Sequence, residues 1–189
     1  MHNVGGSCAD FVLSVYTTLD LQQLATKARQ SQLFGPDDVA ISILAEVTSL
    51  YPGRGHGDTT EALVNAGSLA LGREPVKDTH VRGSLPHYSG WGILTPWKVA
   101  NPPFLDGEFP LNFEGWHVGR ISQEHGVLVW AGPRDLQDTV TLTIGQKVRV
   151  WPNHSCIAGS GFDWYLIVDS RKKGEEDVIV DVWPRWRGW

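Results

Sequence analysis

Five consecutive residues, Pro152-Asn153-His154-Ser155-Cys156, hold the side chains best suited to chemistry in this chain. In an extended backbone, residues two apart project to one face, so the His154 imidazole and the Cys156 thiol would stand side by side. Such a pair suits zinc or another divalent metal. Taken alone it leaves two readings open: a metal centre, or a hydrogen-bonded core histidine beside a buried cysteine. A structural zinc site wants four protein ligands and a catalytic one usually three, so two donors would leave places for water or substrate. Elsewhere, Gly5-Gly6-Ser7 offers backbone N–H groups that could cradle a phosphate, although the same tripeptide also serves ordinary loops.

The elements that would position these groups are mostly strands. Leu19 to Gln32 carries leucines at 19, 21 and 24 followed by Ala25 and Ala28, with Asp20 as an N-cap, and predicts a helix that stops at Gly35-Pro36. Ala40 to Tyr51, rich in Ile, Val and Leu, reads as a long strand, with a buried helix as the alternative. Ala62 to Leu71 reads as a strand broken by a bulge at Gly67, or as two short strands. The proline-rich stretch 76–115 predicts irregular loops with short strands. Beyond it, WHVGRISQEHGVLVW gives two strands around Glu124-His125-Gly126, and GQKVRVWPN alternates Val148 and Val150 with Lys147 and Arg149. DWYLIVDS and DVIVDVW flank the polar RKKGEED as a β-hairpin would.

Composition bounds the function. The chain has 189 residues with 16 basic against 21 acidic side chains, a formal charge of -5 that gives no electrostatic case for nucleic acid. No apolar run near the start is long enough for a signal peptide or a membrane span, and two cysteines are too few for a disulfide scaffold. A soluble protein of a reducing compartment, the cytoplasm, is expected. Nine Trp beside 21 Gly and 11 Pro suit a turn-rich β structure.

IGQKVRVWPNHSC followed by a hairpin and IVDVWPRWRGW, together with ISQEHGVL, DLQQLAT, AEVTSLYPGR and ALVNAGSLAL, resembles the carboxy-terminal part of the D-serine dehydratase and D-threonine aldolase-like family. The DLQQLAT and EHGVL blocks have a fungal character. Members of the family are enzymes of the alanine-racemase type, in which a (β/α)8 barrel binds pyridoxal phosphate through a lysine and a carboxy-terminal β-domain supplies a metal. The resemblance implies a mainly β fold, an antiparallel barrel or sandwich-like domain over residues 39–189, preceded over 1–38 by a short α/β remnant of the end of the barrel. A whole (β/α)8 barrel typically needs about 250 residues, so this chain reads as a piece of the enzyme.

The family's metal ligands carry over to His154 and Cys156. The aldolase branch has Asp in the second place, so Cys156 favours the dehydratase branch, which eliminates water and ammonia from a D-β-hydroxy amino acid; a D-threonine aldolase-type lyase is one alternative. None of Lys27, Lys77, Lys98, Lys147, Lys172 or Lys173 sits in a motif matching the cofactor lysine, so no catalytic residue is assigned, and pyridoxal phosphate is expected only where a barrel is supplied. Tyr16 occupies the place of a tyrosine near the cofactor, but Ser14-Val15 replaces the glycine-containing turn before it, and packing is the competing role. His125 matches a family block, either near the active site or as a structural turn histidine. His117 and His87 have no argument beyond their aromatic surroundings. Asp181, Trp183, Trp186 and Trp189 form a family-like tail whose plain reading is a docked C-terminus. The expected partners are the amino acid substrate, a barrel-bearing chain or a second copy through the exposed face. A free-standing metal-binding β-module or inert pseudoenzyme is the other alternative.

Overall fold

A computed structural model describes residues 41–75, 90–97, 114–169, 172, 174–175 and 177–186. The helix expected over 19–32, the unit over 1–38, Tyr16, the Gly5-Gly6-Ser7 turn and His87 lie outside the described residues.

Alternation sets the architecture. Strand β1 (Ile43–Tyr51) buries Ile43, Ala45 and Val47 while Leu44, Glu46 and Thr48 face outward. With β2 (Glu61–Val64), β3 (Gly92–Pro96), β4 (Gly115–Ile121), β5 (Gly126–Ala131) and β6 (Lys147–Pro152), of which β3 and β6 are buried on both faces over most of their length, the six strands close into an antiparallel barrel in the order β1-β2-β5-β4-β3-β6. Closure leaves these strands no open edge. Val47, Val64, Val118, Leu128, Val148 and Val150 fill the interior with no exposed surface. Each such side chain stabilises the barrel by roughly 1.5–3 kcal/mol of hydrophobic transfer.

Polar clasps hold the barrel's outer parts. The Gln137 amide, on the short helix α2 (Arg134–Gln137), accepts from Thr60 N at 2.8 Å and donates to Thr60 O at 2.9 Å, so that a side chain completes the backbone ahead of β2. Trp116 donates to Val140 O at 2.9 Å and meets Trp130 edge to face, with centroids 5.6 Å apart. Trp151 donates to Thr95 Oγ1 at 2.9 Å.

The expected β structure is present, with three differences of detail. The segment 62–71 is not a broken strand: only Glu61–Val64 joins the sheet, and Ser68–Leu71 forms a helical turn, α1. Its first backbone N–H groups bond to the carbonyls of Ser122 (2.9 Å) and Gln123 (3.1 Å), contacts from another hairpin that no local pattern encodes. Arg149 alternates with Val148 and Val150 yet is only 4 % exposed, because Trp97 covers it: Arg149 Nε donates to Trp97 O at 2.8 Å and the guanidinium lies 4.3 Å from the indole centroid. Strands β7 (Trp164–Val168) and β8 (Ile179–Pro184) form the expected hairpin, but as a separate two-stranded sheet. Trp164, Leu166, Val182 and Trp183 on it are exposed, and Trp186 is 91 % exposed, so the described tail is held not by its aromatic rings but by Arg185, which donates from Nη1 to Gly159 O at 3.0 Å. No helix among the described residues is long and apolar enough to cross a membrane.

Candidate metal centre

Strand β6 delivers the His154–Cys156 element to one end of the barrel. Its last residue, Pro152, is paired with Gly92, and Asn153 is buried and ties the departing chain down twice. The Asn153 backbone N–H bonds to Trp91 O at 3.2 Å, and its side-chain amide donates to the carbonyl of Gly90. His154 is the last extended residue, with φ -127° and ψ 94°, and its carbonyl accepts from Ala158 N at 3.0 Å as the helix α3 (Ser155–Ser160) begins.

The expectation of a continuous extended backbone through Cys156 is therefore corrected. The pair spans a strand-to-helix turn, with His154 at the N-cap and Cys156 in the first helical turn. The i, i+2 rule for strands does not govern its geometry, because Asn153 and Pro152 end the sheet pairing one residue too early. Both side chains are half-buried.

Helix α1 packs beside α3. A Cβ at Gly161 would lie 2.8 Å from Leu69 O, and one at Gly72 would strike Ile157 Cγ2, so 69 faces 161 while 72 faces 157, an antiparallel arrangement. Gly72 adopts φ +80°, a conformation that favours glycine and turns the chain out of α1. Two residues later the antiparallel match brings Glu74 to His154, with Oε2 2.5 Å from Nδ1. The contact links residues eighty apart, and no spacing in the sequence announces it.

His125 belongs to a different surface. Its backbone closes the β4–β5 turn with Ser122, donating to Ser122 Oγ at 3.2 Å and accepting from Ser122 N at 2.8 Å, while its ring is exposed. It lines a groove of about 410 Å³ with Tyr51, Arg54, Glu61 and Arg120, among others, but not with His154 or Cys156. There Arg120 Nη2 lies 2.7 Å and Arg54 Nε 3.5 Å from the two oxygens of the nearly buried Glu61. This charged trio escaped notice in the sequence, since its members come from three elements. His117, on β4, is buried between Ile93 and Val129 of the neighbouring strands. Burial pulls its pKa down to about 4 against the smaller opposing effect of a hydrogen bond with the Gly115 backbone, so it is neutral at pH 7 and part of the wall.

The donor set fits a divalent metal. With Nδ1 turned to the Glu74 carboxyl, Nε2 is the His154 nitrogen left to face an ion, and a thiol two residues on would supply a soft second donor. No group of three or more His, Cys, Asp or Glu able to hold an ion occurs among the described residues. Pyridoxal phosphate does not fit the described residues. Lys147 starts β6, about 16 Å of strand before Pro152, and Lys172 is exposed in the β7–β8 loop.

Comparison with known proteins agrees with this architecture. Residues 40–168 match the sequence profile described as "Putative serine dehydratase domain". D-serine dehydratase of Schizosaccharomyces pombe is 37% identical over 177 residues, covering 92% of this chain and 32% of the relative. The solved D-threo-3-hydroxyaspartate dehydratase from Delftia sp. HT23 superimposes with a TM-score of 0.54 at 25% identity, over 86% of this chain and 36% of that one. That enzyme has also been solved with a histidine replaced by alanine and, in a metal-free form, with a cysteine two positions further on replaced by alanine. An alanine-racemase-like protein from Idiomarina loihiensis shares the fold, with a TM-score of 0.53 at 21% identity over 86% of this chain and 35% of that one. The chain spans about a third of the length of the curated relatives it matches. With its matched segment running from the start of the barrel through β7, the chain belongs to the serine dehydratase domain family.

Proposed function

We propose that this chain is the metal-bearing carboxy-terminal part of a dehydratase that removes water and ammonia from a D-β-hydroxy amino acid, with His154 and Cys156 as the protein's ligands to zinc or a similar divalent ion. One observation carries the reading: the Pro152–Cys156 element is pinned at a barrel end with its histidine held by Glu74. The paired alanine variants of the Delftia enzyme, a histidine and a cysteine at the same separation, support it. A divalent ion there would act as a Lewis acid, stabilising the negative charge that develops as the β-hydroxyl departs.

The chain's own residues supply the binding and orientation. Asn153 fixes the approach of β6, α3 fixes Cys156, and two protein ligands leave room on the ion for a substrate oxygen. The described residues do not fit pyridoxal phosphate, since neither Lys147 nor Lys172 stands beside His154. That cofactor would come with a barrel on another chain or another part of this one. A metal-ligating thiol at Cys156 is compatible with a reducing compartment such as the cytoplasm. Cys156 also weighs against the D-threonine aldolase-type lyase.

The second reading is a free-standing metal-binding module or inactive relative, favoured by the closed barrel and its own filled core. Metal analysis of wild type beside His154→Ala and Cys156→Ala tests the site common to both readings. Bound zinc should drop in each variant; equal zinc in all three proteins removes the assignment. Dehydratase activity on D-serine once a barrel-bearing partner is added, and none without it, separates the lyase from the module.

A further inference from the structure

We infer that Glu74 is the positioning residue of this metal centre: it holds the His154 ring by Nδ1 so that Nε2 is the nitrogen presented to the ion. The inference rests on the metal reading above and adds a residue to it.

The ring's two nitrogens point in divergent directions, so a group bound at Nδ1 lies outside the coordination sphere of an ion on Nε2. Glu74 Oε2 lies 2.5 Å from Nδ1, and since a carboxylate oxygen accepts, Nδ1 is the nitrogen that donates in this contact. A ligating histidine whose other nitrogen donates to a carboxylate has its orientation and tautomer set before the metal arrives. Glu74 is therefore not a third ligand, consistent with the absence of any three-donor cluster among the described residues.

The placement is built by the fold. The antiparallel match of α1 with α3, through Leu69 with Gly161 and Gly72 with Ile157, runs on to Glu74 with His154. Both ends of the match are anchored: α1 on the carbonyls of Ser122 and Gln123, and the start of α3 by Asn153. The Glu74 side chain is 60 % exposed and that of His154 29 %, so the pair lies at the surface and is open to solvent. An ion pair so open to water contributes little to folding, which leaves orientation of the ring as the work it performs.

The test compares the full chain with Glu74→Ala and Glu74→Gln in two measurements. Zinc affinity is read by competition with a chromophoric chelator. The His154 tautomer is read without metal by long-range 1H–15N spectra of 15N-histidine protein, assigned with His154→Ala. Glu74→Ala should weaken zinc binding by about 10- to 100-fold, and Glu74→Gln, which keeps an acceptor oxygen, should recover much of that loss. The ring should carry its proton on Nδ1 in the wild type and shift toward the other tautomer in Glu74→Ala. Zinc affinity within twofold of wild type in Glu74→Ala, or an unchanged tautomer, overturns the inference while leaving His154 and Cys156 as ligands. Absence of zinc binding by the wild type itself, with the tautomer shift present, brings down the metal reading and the purpose given to Glu74 with it.

Discussion

Gly72 and Ile157 meet where no side chain fits between them: a Cβ on Gly72 would overlap Cγ2 of Ile157, and the residue also holds φ +80°. This contact sets the separation of α1 from α3 and so the distance from Glu74 to His154. Gly72→Ala should destabilise the chain by about 1–3 kcal/mol through strain and overpacking, and should weaken zinc binding as Glu74 is displaced. Urea unfolding and chelator competition measure the two effects, and unchanged values in both would show that the helix pair tolerates a wider spacing.

Gln137 offers a test of the barrel's outer clasp. It is buried and makes both of its hydrogen bonds to one residue, Thr60. Gln137→Leu keeps the bulk but strands the Thr60 N–H and C=O, so it should cost about 1–3 kcal/mol. Gln137→Glu restores only an acceptor and should be no better. A denaturation midpoint equal to wild type for either variant would mean that water replaces the clasp.

Acid should reveal His117. Its folded pKa of about 4 lies below the ordinary value of 6.5, so between those values the unfolded chain takes up a proton that the folded one refuses. Above pH 6.5 the group contributes no pH dependence; as pH falls from there to about 4 it removes roughly 3 kcal/mol of stability, and below that the effect levels off. His117→Gln, compared with wild type by urea unfolding at pH 7 and pH 4.5, should show a smaller loss on acidification. Parallel losses in both proteins would mean that the ring is protonated within the fold.

The β7–β8 hairpin predicts association. Trp164, Leu166, Val182 and Trp183 are exposed on a two-stranded sheet outside the barrel, in a chain about a third as long as its relatives. Trp164, Leu166 and Val182 share one face of the hairpin and Trp183 lies on the other, and apolar side chains exposed in this way drive contact between molecules. Light scattering should give a mass that rises with concentration, and Trp183→Lys together with Val182→Lys should lower it. A concentration-independent monomer would favour the free-standing module.

Much of the fold was legible because strands show apolar residues at every second position, or in short runs, between turn signals. WHVGRISQEHGVLVW and GQKVRVWPN became β4, β5 and β6, and the two apolar runs around RKKGEED became the outer hairpin. Four residues are too few to display a helical period, so the sequence of α1 suggests a strand; contacts with Ser122 and Gln123 decide its form. His154 and Cys156 were visible as a pair of donors, but their turn was not, because the end of β6 depends on what Asn153 and Pro152 meet in Gly90, Trp91 and Gly92. Glu74 was invisible for the same reason, being assigned by a packing register between distant segments. Arg149 shows the converse: its charge suggested a solvent-facing position, and a tryptophan on a neighbouring segment hides it.

The pairing of Ile43 with Val150 has a consequence for how the molecule is made. A ribosome must translate nearly the whole barrel before its first strand can find its last, and long-range pairing of this kind is slow to nucleate. His154 and Cys156 emerge immediately behind that last strand. Seam and donor pair therefore mature together, and a nascent chain stalled short of Pro152 would have neither a sealed wall nor a place for an ion.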